Sequence, residues 1–182
     1  NKVSVRDIQW AMRDHYEGTP LDITNDLGAG AYEMPYRPSP LSFKVDGVEY
    51  FNERPISTQQ SAFSFVSQLR SWMPREIGGV SWFGNDDANM IAYTPVYCGN
   101  TVQPECYNTP GADAVTFSDK NAFWVCNWVS NMVYPRYSQI FPELKTVRDS
   151  LEASYFAQQA DFEKKAMELY ATDKQAALRM LN

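Results

Sequence analysis

The sequence is short of the residues that metal sites and catalytic triads ordinarily use. Its 182 residues hold a single histidine, His15, and three cysteines, Cys98, Cys106 and Cys126. No CxxC spacing occurs, so a zinc site would need all four residues gathered by the fold; neither a metal nor a cofactor is expected. No serine lies in a GxSxG string, and a Ser or Cys triad within this chain would have to recruit His15. No apolar run approaches the roughly 20 residues of a membrane-crossing helix, and no membrane partner is expected. Positive charge is scarce: 16 Lys and Arg stand against 22 Asp and Glu, for a net charge of −6. The longest basic cluster is Lys164-Lys165. A nucleic-acid surface needs several clustered cations, so nucleic acid is not an expected partner. Acidic tails are missing too, and the charges are interspersed as on an ordinary solvated surface.

Apolar and aromatic residues are plentiful. They make up 44% and 14% of the chain, enough for a core in one domain or in part of a larger one. The chain opens at Asn1 within what reads as a helical pattern. A processed or partial chain is therefore expected, and the compartment stays open.

The centre of the chain is residues 52–99. Three antiparallel strands are expected there, at about 60–71, 79–83 and 90–97. Ala62, Ser64, Val66 and Gln68 alternate with Phe63, Phe65, Ser67 and Leu69. Apolar residues fall on both faces, which suits a sheet covered on both sides. Gly84-Asn85-Asp86-Asp87 supplies turn chemistry between the last two strands.

Residues 1–51 read as a helix, an irregular segment and a hairpin. Ser4 with Asp7 marks a capped helix start, and Val5, Ile8, Ala11, Met12 and His15 recur at helical spacing up to Gly18. Residues 19–40, with Pro35, Pro38 and Pro40, form a long irregular connection. Phe43, Val45, Val48 and Tyr50 flank Asp46-Gly47, a favoured two-residue turn. Residues 100–113 read as a loop. Residues 118–182 read as helices: one capped by Ser118, apolar nearly all round and so expected to be buried, and ended by Pro135. A long one follows, with Pro142 in its first turn, running to about residue 171. A last one opens on Thr172 and Gln175 as a capping box. The fold class is α+β, with helices packed on an antiparallel sheet.

Few residues stand out as chemistry. His15 suits a helix end, where it would satisfy terminal carbonyls. Asp86-Asp87 reads as a turn, since carboxylates adjacent in sequence point apart. Glu53-Arg54 precedes Pro55 at the entry to the central strands, with Gln59 and Gln60 nearby. An arginine there suits bidentate capture of a carboxylate, or an ordinary surface ion pair. Cys98 and Cys106 flank a loop and would form either a disulfide or two reduced thiols.

Two longer strings carry more. One is Asp14-His15-Tyr16-Glu17-Gly18-Thr19-Pro20 followed by Asp22. The other is Arg54-Pro55-Ile56-Ser57-Thr58-Gln59-Gln60-Ser61-Ala62-Phe63, with Gly79-Val80-Ser81-Trp82-Phe83-Gly84 and Tyr93-Thr94-Pro95-Val96-Tyr97 beyond it. With Ala122-Phe123-Trp124-Val125-Cys126-Asn127-Trp128-Val129, they resemble the bacterial dipeptidases of the N-terminal-nucleophile (Ntn) hydrolase superfamily. The resemblance runs from Asp7 to about Asp161. It implies an αββα sandwich and a nucleophilic cysteine that becomes the first residue after a leader is removed. The free α-amine of that cysteine then serves as base, so no histidine is needed. No cysteine of this chain lies near Asn1. The resemblance therefore implies that residues 1–182 are the C-terminal portion of a longer enzyme whose nucleophile lies upstream. It implies dipeptide substrates, a missing N-terminal portion as partner, and Arg54 as a substrate-binding residue. Alternatives are a non-catalytic binding or scaffold domain of the same fold, and an amidase acting on non-peptide amides. An uncovered sheet face would make a homo-oligomer an expected state.

Overall fold

The computed structural model describes residues 2–37, 42–52 and 54–182. Pro38, Pro40 and Glu53 lie outside the described residues. The architecture is α+β, as expected: two small antiparallel sheets and a set of helices.

Helix α1 (Val5–Ala11) opens on the expected capping box. The Asp7 N–H donates to Ser4 Oγ at 3.2 Å, and the Ser4 N–H donates to Asp7 Oδ2 at 2.7 Å. The helix ends at Ala11 rather than at Gly18. Residues 12–17 leave it because their partners lie elsewhere: the Asp14 carbonyl accepts from the Ser57 N–H, and Tyr16 takes a left-handed φ of 65°. Two 3₁₀ turns follow, Ile23–Asn25 and Leu27–Tyr32. Asp22 and Asp26 cap them by accepting from the N–H groups of Thr24 and Gly28.

Strands β1 (Ser42–Val45) and β2 (Val48–Phe51) form the expected hairpin. Asp46 and Gly47 have φ of 50° and 80°, the two positive values that a tight primed turn requires. Phe43 stacks on its cross-strand partner Tyr50.

The main sheet has the order β3 (Phe63–Leu69), β4 (Gly79–Asn85), β5 (Thr94–Tyr97), all antiparallel. Phe65 faces Phe83, and Ser81 faces Val96. A short helix α2 (Arg75–Gly78) occupies the β3–β4 connection that reads as a loop in sequence. The third strand begins at Thr94, four residues later than expected, because residues 86–93 are an irregular buried segment held by side chains instead of strand neighbours.

Helix α3 (Ala122–Val133) is capped by Asn121, not Ser118. Asn121 Oδ1 accepts from the N–H groups of Phe123 and Trp124, the geometry an N-cap needs. The helix is not buried as expected: Trp128 is 58% exposed, and only Ser130 and Val133 are buried. Phe117 packs edge-on against Trp124 and Trp128, but Trp128 and Met132 stay exposed. Helix α4 (Tyr137–Thr172) follows through the 3₁₀ turn Tyr134–Arg136 and carries Pro142 inside it, not in its first turn. Helix α5 (Lys174–Met180) is capped by Asp173, whose side chain accepts from the Ala176 N–H at 2.9 Å. Thr172 instead ends α4, its hydroxyl donating to the Leu169 carbonyl.

The core lies between one sheet face and the helices. Val66, Val80, Trp82 and Tyr97 point inward and meet Ala166 and Leu181. Trp82 stacks on Phe156 of α4 with ring centres 4.2 Å apart. Phe63, Phe65, Leu69 and Phe83 sit at the alternate positions and form the opposite face of the sheet. Phe63, Phe65 and Leu69 are exposed, whereas Phe83 meets Tyr107 edge-on.

Candidate functional site

Residues 86–93 cross the interior without regular hydrogen bonding. Buried backbone groups need partners, and here charged side chains supply them. Arg13 donates through Nε to the Ala88 carbonyl at 2.8 Å and through Nη2 to the Ile91 carbonyl at 3.0 Å. Arg148 of α4 donates to the Asn89 carbonyl and to Asn89 Oδ1. Glu152 Oε1 accepts from the Tyr93 N–H at 2.7 Å and also pairs with Arg13 at 2.5 Å. Burial and the neighbouring Arg13 charge draw Arg148 below the usual guanidinium range.

Asp87 is the hub of this segment and is fully buried. Its Oδ1 accepts from the Ser57 hydroxyl at 2.5 Å and from the Asn89 N–H at 3.1 Å. Its Oδ2 accepts from the Tyr134 hydroxyl at 3.2 Å. Asn89 Nδ2 donates in turn to the hydroxyls of Tyr137 and Tyr36. Burial, followed by the Asp87 charge, pushes the Tyr36 and Tyr134 phenols far above their ordinary value, which keeps them donors. The adjacent Asp86 is also buried, with φ of 80°, and burial pushes its carboxyl up. The connection is not the short turn expected at Gly84–Asp87: Gly84 and Asn85 belong to β4, and Asp87 opens a buried turn in which its carbonyl accepts from the Met90 N–H at 2.9 Å.

His15 does not close a helix. It is 1% exposed, with its ring edge against Tyr36 at 4.7 Å between centres. Its Nδ1 lies 2.9 Å from Glu17 Oε1, and its Nε2 meets no hydrogen-bond partner among the described residues. Burial opposes the Glu17 charge, yet hydrogen bonds from the His15 ring and N–H hold that carboxyl at about 2. Among the described residues no serine or cysteine hydrogen-bonds to the imidazole, so a triad through His15 is not assembled.

Arg54 lies in the loop that leads into β3 and is exposed. Its Nη2 donates to Gln60 Oε1 and, at 3.4 Å, to Thr58 Oγ1. Its carbonyl accepts from the Tyr16 hydroxyl at 3.2 Å. Among the described residues it pairs with no carboxylate. The Asp86 N–H donates to the Ala62 carbonyl at 2.8 Å, which sets this loop beside the exit of β4.

The three cysteines are free, so the Cys98–Cys106 bridge is not formed. Burial and the nearby Asp86 charge push the Cys126 thiol up to about 11. Among the described residues no group of three or more His, Cys, Asp or Glu is placed to hold a metal ion. Sequence reasoning did not assign a role to Ser57, Tyr134, Tyr36 or Arg148. The Asp86-Asp87 pair was the one signal available, and its burial is a product of tertiary packing.

The sequence pattern of Peptidase family C69 matches residues 1–150. The chain belongs to peptidase family C69. This C69 chain is 25% identical over 156 residues to Dipeptidase A of Lactobacillus helveticus, an alignment covering 86% of the chain and 28% of that protein. It is 25% identical over 179 residues to Probable dipeptidase B of Streptococcus pyogenes serotype M1, covering 96% of the chain and 33% of that protein. A probable dipeptidase of Latilactobacillus sakei is 25% identical over 136 residues, 75% of the chain and 24% of that protein. The C69 chain thus spans about a third or less of the length of these relatives. The resemblance to bacterial dipeptidases holds on independent comparison.

Proposed function

We propose that this chain is the C-terminal portion of a dipeptidase whose nucleophile is an N-terminal cysteine upstream of Asn1. Membership of family C69 carries the reading, and the names of the longer relatives support it. The state of Cys126 agrees: a thiol pushed up to about 11 is a poor nucleophile near neutrality.

The chemistry is acyl transfer. The upstream thiol gives its proton to the free α-amine and attacks the peptide carbonyl. Backbone or side-chain donors stabilise the oxyanion that forms. The C–N bond then breaks, the leaving amine takes the proton, and a thioester remains. Water cleaves the thioester and restores the thiol. Arg54 is assigned to substrate binding. A guanidinium offers a planar fork that matches a carboxylate, and the free carboxylate is the group every dipeptide carries. Its present partners, Gln60 and Thr58, are neutral acceptors that a carboxylate would displace.

The test is intact mass and N-terminal sequencing of the native gene product, with dipeptide hydrolysis assayed on it and on the 182-residue chain. A long product beginning with cysteine, active on dipeptides, is expected, and the chain alone is expected to be inactive. Arg54→Ala in the parent should raise KM by roughly tenfold or more, the size of one lost charge-assisted contact. Hydrolysis by the isolated chain, or a native product that begins near Asn1, would overturn the reading.

A further inference from the structure

Arg54 is only as well placed as the loop that carries it. Besides the Asp86–Ala62 contact at its far end, four hydrogen bonds among the described residues hold that loop. Tyr16 donates to the Arg54 carbonyl, the Ser57 N–H donates to Asp14, and Gln59 donates to the Arg37 carbonyl. The fourth, from the Ser57 hydroxyl to Asp87, is the one buried at both ends: Ser57 is 2% exposed and Asp87 0%.

We propose that Asp87, acting through Ser57, is a positioning residue that holds the Arg54 guanidinium in register for substrate. The proposal rests on the substrate-binding role given to Arg54 above. It deepens that role by naming what fixes the geometry. Asp87 is itself locked from the far side. Its Oδ2 accepts from Tyr134, and its Oδ1 accepts from the Asn89 N–H. Asn89 is in turn held by Arg148 on α4. A continuous run of buried hydrogen bonds therefore leads from α4 to Ser57. Two residues separate Ser57 from Arg54, and one of them is Pro55, which is buried and has a fixed φ. A shift at Ser57 is thus transmitted to Arg54 with little backbone freedom to absorb it. A guanidinium held out of register loses its paired fit to a carboxylate, so such a brace matters to substrate binding as well as to the fold.

The test uses the full-length parent with dipeptide substrate and the variants Ser57→Ala, Arg54→Ala and the double variant. Ser57→Ala removes the hydroxyl and leaves the Asp87 contacts to Asn89 and Tyr134 in place. It is expected to raise KM on the order of tenfold with kcat little changed, the mark of lost binding rather than lost chemistry. In the Arg54→Ala background it should raise KM no further, because there is no guanidinium left to misplace. Hydrogen exchange at residues 56–61 should quicken in Ser57→Ala while the amides of α4 stay protected. That result separates a loosened loop from a destabilised fold. If Arg54→Ala raises KM but Ser57→Ala is neutral, or acts equally with and without Arg54, the positioning role is overturned and the Arg54 reading stands. Unchanged exchange at residues 56–61 overturns it as well. If Arg54→Ala itself is neutral, the Arg54 reading fails and the positioning role falls with it.

Discussion

The cysteines and glutamates of this chain behave according to what surrounds each one. Cys98 is exposed, whereas Cys126 sits near the buried Asp86 and its thiol is pushed up to about 11. Alkylation proceeds through the thiolate, so iodoacetamide near neutral pH should label Cys98 well before Cys126. Peptide mapping by mass spectrometry after timed quenching checks this order, and Cys126 reacting first would contradict it. Glu17 and Glu163 both have folded-state values below the usual carboxylate value of 4.5. For Glu17, burial raises the value and the His15 hydrogen bonds outweigh it, to about 2. For Glu163, burial also raises the value, and Arg70 and Gln159 outweigh it. A lowered folded value stabilises the fold above the unfolded one and loses that contribution as pH falls below it. Stability should therefore decline as the pH drops from about 4.5 toward 2. Glu17 is about half exposed, so water screens its share. Glu163→Gln should flatten the acid limb of a pH–stability curve more than Glu17→Gln does, as read from urea midpoints at each pH.

Ion pairs join the long helix α4 to Arg70, just beyond β3, and to Arg13, in the segment that follows α1. Glu163 takes a bidentate contact from Arg70 at 2.6 and 2.7 Å and accepts from the Tyr97 hydroxyl at 3.1 Å. Arg70 also donates to the carbonyls of Gly78 and Ile77, so one guanidinium ties α2, β3 and α4 together. Removing one member of a nearly buried pair strands the other's charge. Glu163→Ala is expected to lower stability by about 3 kcal/mol in chemical denaturation. A loss under about 1 kcal/mol would mean that the pair is effectively solvated. This pairing was not legible in the sequence, since Arg70 and Glu163 stand far apart and each looks like an ordinary surface charge. Elements whose signals are local were legible. Ser4 with Asp7 marked α1, Asp46-Gly47 marked the hairpin, and the Phe63–Leu69 alternation marked β3. Residues 90–93 misread as strand because Met90, Ile91 and Tyr93 are apolar and buried in the core, while Arg13 and Glu152 instead of strand neighbours pair their backbone groups. Cap residues slid from Ser118 to Asn121 and from Thr172 to Asp173, because neighbouring residues of equal capping power compete and tertiary packing chooses between them. The Arg54 loop was legible as a string, whereas its anchor on Asp87 was not.

The molecule as a whole has a one-sided sheet. Helices cover the face that carries Trp82, and the other face shows Phe63, Phe65 and Leu69 at 56%, 54% and 79% exposure. Phe63 stacks against Phe83 across the strands, so the apolar surface is continuous rather than scattered. Patches of this kind mark interfaces in soluble proteins, and burying one releases apolar area from water. A sandwich with a second sheet would cover this face, and the relatives are long enough to supply one. Among the described residues nothing buries Phe63, Phe65 and Leu69, and the 182-residue chain is expected to self-associate. Sedimentation of the 182-residue chain should show a mass that rises with concentration. The double variant Phe65→Lys, Leu69→Lys should stay monomeric with an unchanged far-ultraviolet circular dichroism spectrum, because both side chains point away from the core. In the full-length parent the same two substitutions should instead destabilise the protein, since lysine charges would be buried against the covering segment. A native chain that is monomeric at high concentration, or a parent that tolerates both lysines, would mean that this face is solvent-facing by design and is not half of an interior.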